Sequence, residues 1–344
     1  LIKIDHASGS YPVSFASLEQ VRDALANAYV VTDENVYEAH QPLFKDCPRG
    51  TVVPPGENSK SLNVYGSLLE KLADEGVRRD GTIAAVGGGV VGDLVGFVAA
   101  TYMRGIKLIM VPTSLLAQVD SSVGGKVAID LPQGKNLVGS FYAPAQVLLC
   151  RELLQTLPER QFTNGAAEIW KYGAIYDADL FSRLEKEPLS LASPDLNDVV
   201  ERCVEIKAEV VSQDECETTG LRAILNFGHT IGHAVELLTF MKGMLHGEAI
   251  SIGMVLEAEL GERLGETEEG TATRLANGLR SQGLPTELPQ GLESEKLIEA
   301  MARDKKATTD GIRLSLVERV GTCKLSPTAP RDEIDAVLRR HERD

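Results

Sequence analysis

A glycine-dense turn, Gly87-Gly-Gly-Val-Val-Gly92-Asp93, follows the apolar run Ile83-Ala-Ala-Val86 and leads into a second apolar stretch. Few folds can use such a turn. A buried strand must end, the backbone must turn tightly, and a helix must begin where no Cβ atom crowds its first amides. The spacing Gly87-x-Gly89-x-x-Gly92 is that of a dinucleotide loop. There, glycine lets the backbone approach a pyrophosphate, and the helix N-terminus attracts the anion. In a chain with 32 glycines the same spacing also serves as a plain strand-to-helix turn. A ribose-binding carboxylate ordinarily lies about 20 residues further on. Here no acidic residue stands between Asp93 and Asp120. Asp33, which ends an earlier apolar run, is the candidate to take that place.

The turn belongs to an alternating pattern. Ala28-Tyr-Val-Val31, Thr51-Val-Val53, Ile83–Val86 and Lys107-Leu-Ile-Met-Val111 are short apolar runs closed by turn residues, which predicts strands. Residues 61–75 carry apolar side chains at helical spacing. Strands alternating with helices predict an α/β fold: an N-terminal Rossmann-like, mostly parallel sheet domain over residues 1–155. Beyond that the strand signals fade. Ser193-Pro194 reads as a helix start, with Val199, Cys203, Ile206 and Val210 at helical spacing after it. Residues 229–264 are mostly helix formers around a Lys242-Gly243 break, and 313–317 could form one extra strand. Residues 156–344 are therefore expected to form a mainly α-helical, metal-binding domain.

Composition excludes several classes. A formal net charge of −15 argues against nucleic acid or anionic membranes as general partners. The most apolar region, 83–100, is interrupted by five glycines and Asp93, so a membrane span is not expected. No signal peptide is visible, and the five cysteines form no CxxC pair. Both features predict a reducing, cytoplasmic setting.

Three of the six histidines fall in His229-Thr-Ile-Gly-His233 and at His246. Residues four apart share a helix face. Threonine after His229 rules out the HExxH protease motif, but two imidazoles and a carboxylate make a catalytic zinc set with an open position. Spacing leaves the carboxylate open between Glu236, Glu248 and a residue remote in sequence. Glu168 is notable for its apolar surroundings and for Lys171 three residues on. Glycine-flanked lysines expected on loops (Lys126, Lys135), beside Asn136 and with Arg104, suit a phosphate. Lys207 borders an apolar helix stripe, where its stem could equally lie over the core. Arg222 and Asn226 read as part of the same helical run as His229.

Taken in order, these segments resemble the sugar phosphate cyclase superfamily, and within it the 3-dehydroquinate synthase family. The stretches that carry the resemblance are Gly87–Phe97, Thr101-Tyr-Met-Arg104-Gly105, Leu115–Lys126, Gly134-Lys135-Asn136-Leu137, Ala167-Glu168-Ile-Trp-Lys171-Tyr-Gly, Leu225–Ala234, Leu245-His246-Gly-Glu248-Ala and Asp304-Lys305-Lys306. Three departures stand out: Ser114 in place of the usual threonine, the bulky Trp170 beside Glu168, and one extra residue in 214–220. The resemblance implies that Glu168, His229 and His246 bind a divalent metal, zinc or cobalt. It implies that NAD meets Asp33, Asn35, Glu57, Lys60, Gly88, Gly89, Val91, Asp93, Thr113, Ser114, Asp120, Lys135 and Thr156. Arg104, Lys126, Asn136 and Lys305 or Lys306 would hold a substrate phosphate, with Arg104 supplied across a homodimer interface. Lys171, Lys207, Arg222, Asn226 and His233 would hold the carboxylate and hydroxyls, His233 also relaying a proton. The implied reaction converts a seven-carbon sugar phosphate to 3-dehydroquinate and phosphate. The rivals are a sister cyclase acting on sedoheptulose 7-phosphate and a metal- and NAD-dependent polyol dehydrogenase.

Overall fold

The computed structural model describes residues 1–6, 9–214, 220–239, 243–302, 307–308, 311–325 and 328–342. The chain forms two compact units: Leu1–Phe162 with Val200–Cys216, and Thr163–Val199 with Glu217–Asp344.

The strands of the first unit are β1 (Ile2–His6), β2 (Gly9–Phe15), β3 (Tyr29–Asp33), β4 (Arg49–Val53), β5 (Thr82–Gly87), β6 (Lys107–Pro112), β7 (Lys126–Leu131), β8 (Gly134–Phe141) and β9 (Gln146–Leu149). Its helices include α1 (Leu18–Leu25), α2 (Glu34–Ala39), α3 (Gln41–Phe44), α4 (Leu62–Asp74) and α5 (Gly89–Thr101). Seven strands make one sheet in the order β1-β2-β9-β6-β5-β3-β4. Every pairing in it is parallel except β1 with β2. Continuous apolar runs suit the central strands because both of their faces are covered. Val30, Ala84, Val86, Ile109 and Val111 pack with Val21 and Leu25 of α1 and Leu43 of α3. The nearly all-apolar α5 buries Leu94, Val95 and Val98.

Lys126, Lys135 and Asn136 are not on loops as expected. β7 and β8 form an antiparallel hairpin. Val127 and Ile129 of β7 are buried, but β8 exposes or half-exposes every side chain, so it carries no apolar period to read.

The second unit holds most of α6 (Glu159–Ile175), then α7 (Ala178–Lys186), the first turn of α8 (Leu196–Gln213), α9 (His229–Thr239), α10 (His246–Arg263), α11 (Thr271–Ser281), α12 (Ser294–Ala302) and α13 (Arg331–Arg340). Short antiparallel pairs join β10 (Ala307–Thr308) to β11 (Gly311–Ile312) and β12 (Ser315–Arg319) to β13 (Thr322–Leu325). Helix α8 begins at Leu196, just after the Ser193-Pro194 signal, and Ser193 Oγ accepts a hydrogen bond from the Ser190 amide at 3.0 Å. The extra strand is also shifted, from 313–317 to Ser315–Arg319. The core joins Ile231 and Val235 of α9, Ile252 and Leu256 of α10, Leu297 of α12 and Ile334 of α13. Trp170 is accommodated by Gly278 on α11: a Cβ there would lie 2.2 Å from the indole ring. Among the described residues, no helix is long and apolar enough to cross a membrane.

Helices α9 and α10 cross in backbone contact. A Cβ on Gly253 would stand 1.9 Å from the Gly228 carbonyl oxygen and 2.7 Å from the Gly232 nitrogen. Gly228 itself has φ 78°, a left-handed turn that lets α9 start afresh at His229. Arg222 and Asn226 are therefore not on the helix of His229. They lie in a separate 3-10 turn, Leu221–Asn226.

Candidate active site

Three elements of the second unit converge. Glu168 lies in the buried middle of α6, His229 opens α9 and His246 opens α10. The Glu168 carboxylate is fully buried, and its Oε1 stands 3.5 Å from the Nε2 atoms of both His229 and His246. Its Oε2 is ion-paired with Lys171, which is 1% exposed. Both imidazoles commit their other nitrogen: His229 Nδ1–H donates to the Phe227 carbonyl at 3.1 Å, and His246 Nδ1–H to Glu236 Oε2 at 3.0 Å. The Nε2 atoms are thus turned toward the carboxylate. One donor atom from each of Glu168, His229 and His246 lies within 4.8 Å of the others. Two nitrogens and one oxygen, buried and convergent, fit a borderline divalent metal with a position left for substrate.

The metal-free electrostatics of the two histidines differ. Burial, followed by the Lys171 charge, holds His229 well below the usual imidazole range. Burial also opposes protonation of His246, but hydrogen bonds to Glu168 and Glu236 outweigh it and push that group up to about 10. His233, one turn beyond His229, is exposed, with its ring 5.2 Å from that of His229 and 5.8 Å from that of His246. Arg222 is buried, at 3% exposure. Lys305 and Lys306 lie outside the described residues.

In the first unit, the expected loop forms at the start of α5. Gly88 is its N-cap, in extended conformation and with no side-chain capping bond. A Cβ on Gly92 would meet nothing within 4 Å, so the face above the first turn is open. Uncapped amides beside open space fit a dinucleotide pyrophosphate. Val91 is buried beneath this turn. The Thr113 amide donates to the Gly87 carbonyl at 3.0 Å, and Ser114 Oγ accepts from the Ala117 amide at 3.3 Å. Asp33 ends β3 and caps α2 through the Val36 amide, placing Asn35 in the first turn of that helix.

Glu57, Lys60, Asp93, Lys135 and Asn136 come together. The buried Lys60 ammonium donates to Asp93 Oδ2 at 2.8 Å and to Asn136 Oδ1 at 2.5 Å, with Glu57 Oε1 3.6 Å away. Lys135 Nζ is 4.0 Å from Glu57. Burial alone would depress the Lys60 ammonium, but Asp93 and Glu57 reverse that and keep it charged. Asn136 holds φ 55°, tied by its amide to Asp130 Oδ1 at 2.7 Å. Lys207 does more than cover apolar surface with its stem: its ammonium donates to the Asp120 carbonyl at 2.6 Å and to Oδ1 at 2.7 Å. Arg104 sits on an exposed 3-10 turn where Met103 and Arg104 both have positive φ, at 50° and 65°. Lys126 is exposed at the head of β7.

Sequence reasoning missed three supporting residues. His40 Nε2 is bonded to the Thr156 hydroxyl at 2.7 Å, and Asp130 fixes the backbone of Asn136. Glu257, fully buried on α10, accepts the amides of Gly228 and Ile231 at 2.7 and 3.0 Å and so anchors the start of α9. The available signal for Glu257 was an acid set directly after the apolar run 249–256. Nothing local marks the other two.

Residues 50–164 match the family described as 3-dehydroquinate synthase N-terminal, and residues 165–307 that described as 3-dehydroquinate synthase C-terminal. A 3-dehydroquinate synthase of Caldanaerobacter subterraneus subsp. tengcongensis is 45% identical over 342 residues, covering 94% of this chain and 95% of the relative. A 2-deoxy-scyllo-inosose synthase solved with carbaglucose-6-phosphate, NAD+ and Co2+ aligns with TM-score 0.86 and 29% identity over 99% of both chains. The 2-epi-5-epi-valiolone synthase of Streptomyces hygroscopicus subsp. jinggangensis, solved with NAD+ and Zn2+, aligns with TM-score 0.88 and 26% identity over 99% of this chain and 98% of that one.

Proposed function

Because the chain belongs to the 3-dehydroquinate synthase family, we propose that its residues divide that family's reaction between a nucleotide-binding unit and a metal-binding unit. The enzyme converts 3-deoxy-D-arabino-heptulosonate 7-phosphate to 3-dehydroquinate and phosphate, as a carbon–oxygen lyase. When bound, NAD supplies a hydride acceptor restored in each turnover, and a divalent metal, zinc or cobalt, supplies Lewis acidity toward substrate hydroxyls.

The convergence of Glu168, His229 and His246 is the observation that carries this reading. These three hold the metal, and the neutral His229 is already in its ligating form. Lys171 keeps an ammonium inside the same buried cluster, where it can donate to a substrate oxygen. Arg222 and Asn226 provide the fork and amide that suit the substrate carboxylate, a group absent from sedoheptulose 7-phosphate. His233, exposed beside the other two rings, moves a proton from a substrate hydroxyl. The phosphate falls to Lys126, Asn136 and Arg104, with Lys305 or Lys306 completing its set. Asp33, Asn35, Glu57, Lys60, Gly88, Gly89, Asp93, Thr113, Ser114 and Thr156 hold NAD, with Val91, Asp120 and Lys135 beside it. Lys207 orients Asp120 and brings a positive charge to the anionic substrate.

A homodimer accounts for Arg104, which has no hydrogen-bond or ion-pair partner among the described residues and would serve the other subunit. A cytoplasmic setting suits the free Cys47, Cys150, Cys203 and Cys323.

Incubation with the heptulosonate phosphate, NAD and zinc is expected to release phosphate with no net accumulation of NADH. Cyclisation of sedoheptulose 7-phosphate with no phosphate release from the heptulosonate would overturn the substrate assignment. Steady NADH production on glycerol would overturn the reaction class.

Metal loading carries a pH signature. His246 is protonated in the metal-free protein up to about pH 10, whereas His229 is not. Binding at neutral pH must therefore expel about one proton, so apparent affinity rises about tenfold per pH unit. The raised value also stabilises the metal-free fold: fully below the ordinary histidine range, and lost as pH climbs through about 10. Zinc titration calorimetry in buffers of different ionisation enthalpy measures the proton. Heats independent of buffer would show that none is released.

A further inference from the structure

We propose that Glu236 is a positioning residue that fixes the tautomer and ring orientation of His246 for metal binding. The inference rests on the metal reading given above and adds a carboxylate outside the metal's own ligand set. Glu236 lies on α9, seven residues after His229, whereas His246 opens α10. Its carboxylate reaches across to His246 Nδ1 at 3.0 Å, a direct hydrogen bond. A carboxylate can only accept there, so a proton stays on Nδ1, and the proton given up on metal loading is the one on Nε2, whose lone pair then serves the metal. That Nε2 is the atom facing Glu168 Oε1.

The two imidazoles are braced by different means. His229 donates Nδ1–H to the Phe227 carbonyl, two residues away in its own chain segment. His246, first residue of its helix, has no such carbonyl and relies on a side chain from another helix. A negatively charged acceptor also makes the imidazole a stronger donor to a metal than a carbonyl does. Glu236 thus ties the second ligand to the helix that carries the first, so that the angle between them is set by one rigid element.

Glu236 also belongs to a second group of potential ligands, with His233 and His246. Were Glu236 itself a ligand there, His246 would have to give up its Nδ1 proton. The 3.0 Å contact instead assigns Glu236 to the imidazole.

The test measures zinc affinity of the full-length protein by competition with a chromogenic chelator, together with stoichiometry. It adds 15N NMR of the histidine rings and thermal melting without metal. Glu236→Ala is expected to weaken zinc binding by about 10- to 100-fold, to alter the His246 ring signals, and to lower the metal-free melting temperature, because one of the two bonds that hold the His246 proton is lost. Glu236→Gln keeps an acceptor oxygen without the charge and should recover part of the loss. Unchanged zinc affinity in both variants, with wild type binding one zinc, would overturn the positioning role and leave the three-ligand site standing. Two zinc ions per wild-type chain, falling to one in Glu236→Ala, would overturn it by making Glu236 a ligand. A wild-type protein that binds no zinc would overturn this proposal together with the metal reading.

Discussion

Replacing Glu168 by alanine is expected to leave the protein without bound metal, to lower turnover by about 10^3-fold or more, and to depress its melting temperature. The first two effects share a cause. Glu168 Oε1 is the point on which both Nε2 atoms converge, so in the proposed metal site its loss would remove one ligand of three and the charge that balances a dication. Lewis-acid stabilisation of several kcal/mol corresponds to a rate factor of about that size. The third effect comes from Lys171. With its carboxylate gone, a lysine at 1% exposure loses its ion-pair partner, and breaking a buried pair in this way costs about 3–5 kcal/mol. Glu168→Gln separates the contributions: it preserves shape and one carbonyl oxygen but not the charge, so metal should still be lost while more of the fold's stability remains. Metal analysis after dialysis, phosphate release and a melting curve on both variants check the prediction. Full metal content in Glu168→Ala would remove Glu168 from the ligand set.

The second large effect is expected at a residue that carries no ligand atom. Gly253→Ala adds one methyl group where the next atoms are the Gly228 carbonyl oxygen and the Gly232 amide nitrogen, at 1.9 and 2.7 Å. Backbone cannot rotate out of the way as a side-chain tip can. Helices α9 and α10 must separate, at a cost near or above the usual overpacking range of about 1–3 kcal/mol. The separation acts at the site because His229 and His246 are the first residues of those two helices. Zinc affinity and stability should therefore fall together. Gly66→Ala in α4 is the control: a Cβ there meets nothing within 4 Å, and the change should stabilise by up to about 1 kcal/mol. Equal melting temperatures for the two variants would sink the backbone-contact argument.

Local chemistry made the sheet and the glycine turn readable. Apolar runs such as Ile83–Val86 have only one way to be buried on both faces, and β5 and α5 form where the runs and the glycines place them. The hairpin of Lys126 and Asn136 was hidden because β8 buries no face of its own. Histidine spacing pointed to a metal centre, yet it could not choose among Glu168, Glu236 and Glu248. Only packing separates them: Glu168 faces both Nε2 atoms, Glu236 takes the far nitrogen of one ring, and Glu248 accepts the Leu245 amide. The resemblance supplied Glu168 from outside the local pattern. It could not supply Glu257, whose role depends on the start of a neighbouring helix.

The first unit is discontinuous along the chain, recovering residues Val200–Cys216 after the second unit has begun. That has a consequence for inheritance and exchange. A chimera joined near residue 162 would draw Asp120 from one parent and Lys207 from the other, splitting a hydrogen-bonded pair that lies within a single unit. Recombination between relatives should therefore succeed when the segment 200–216 travels with the N-terminal portion. A single crossover between the halves should be tolerated only where both parents already agree along α8.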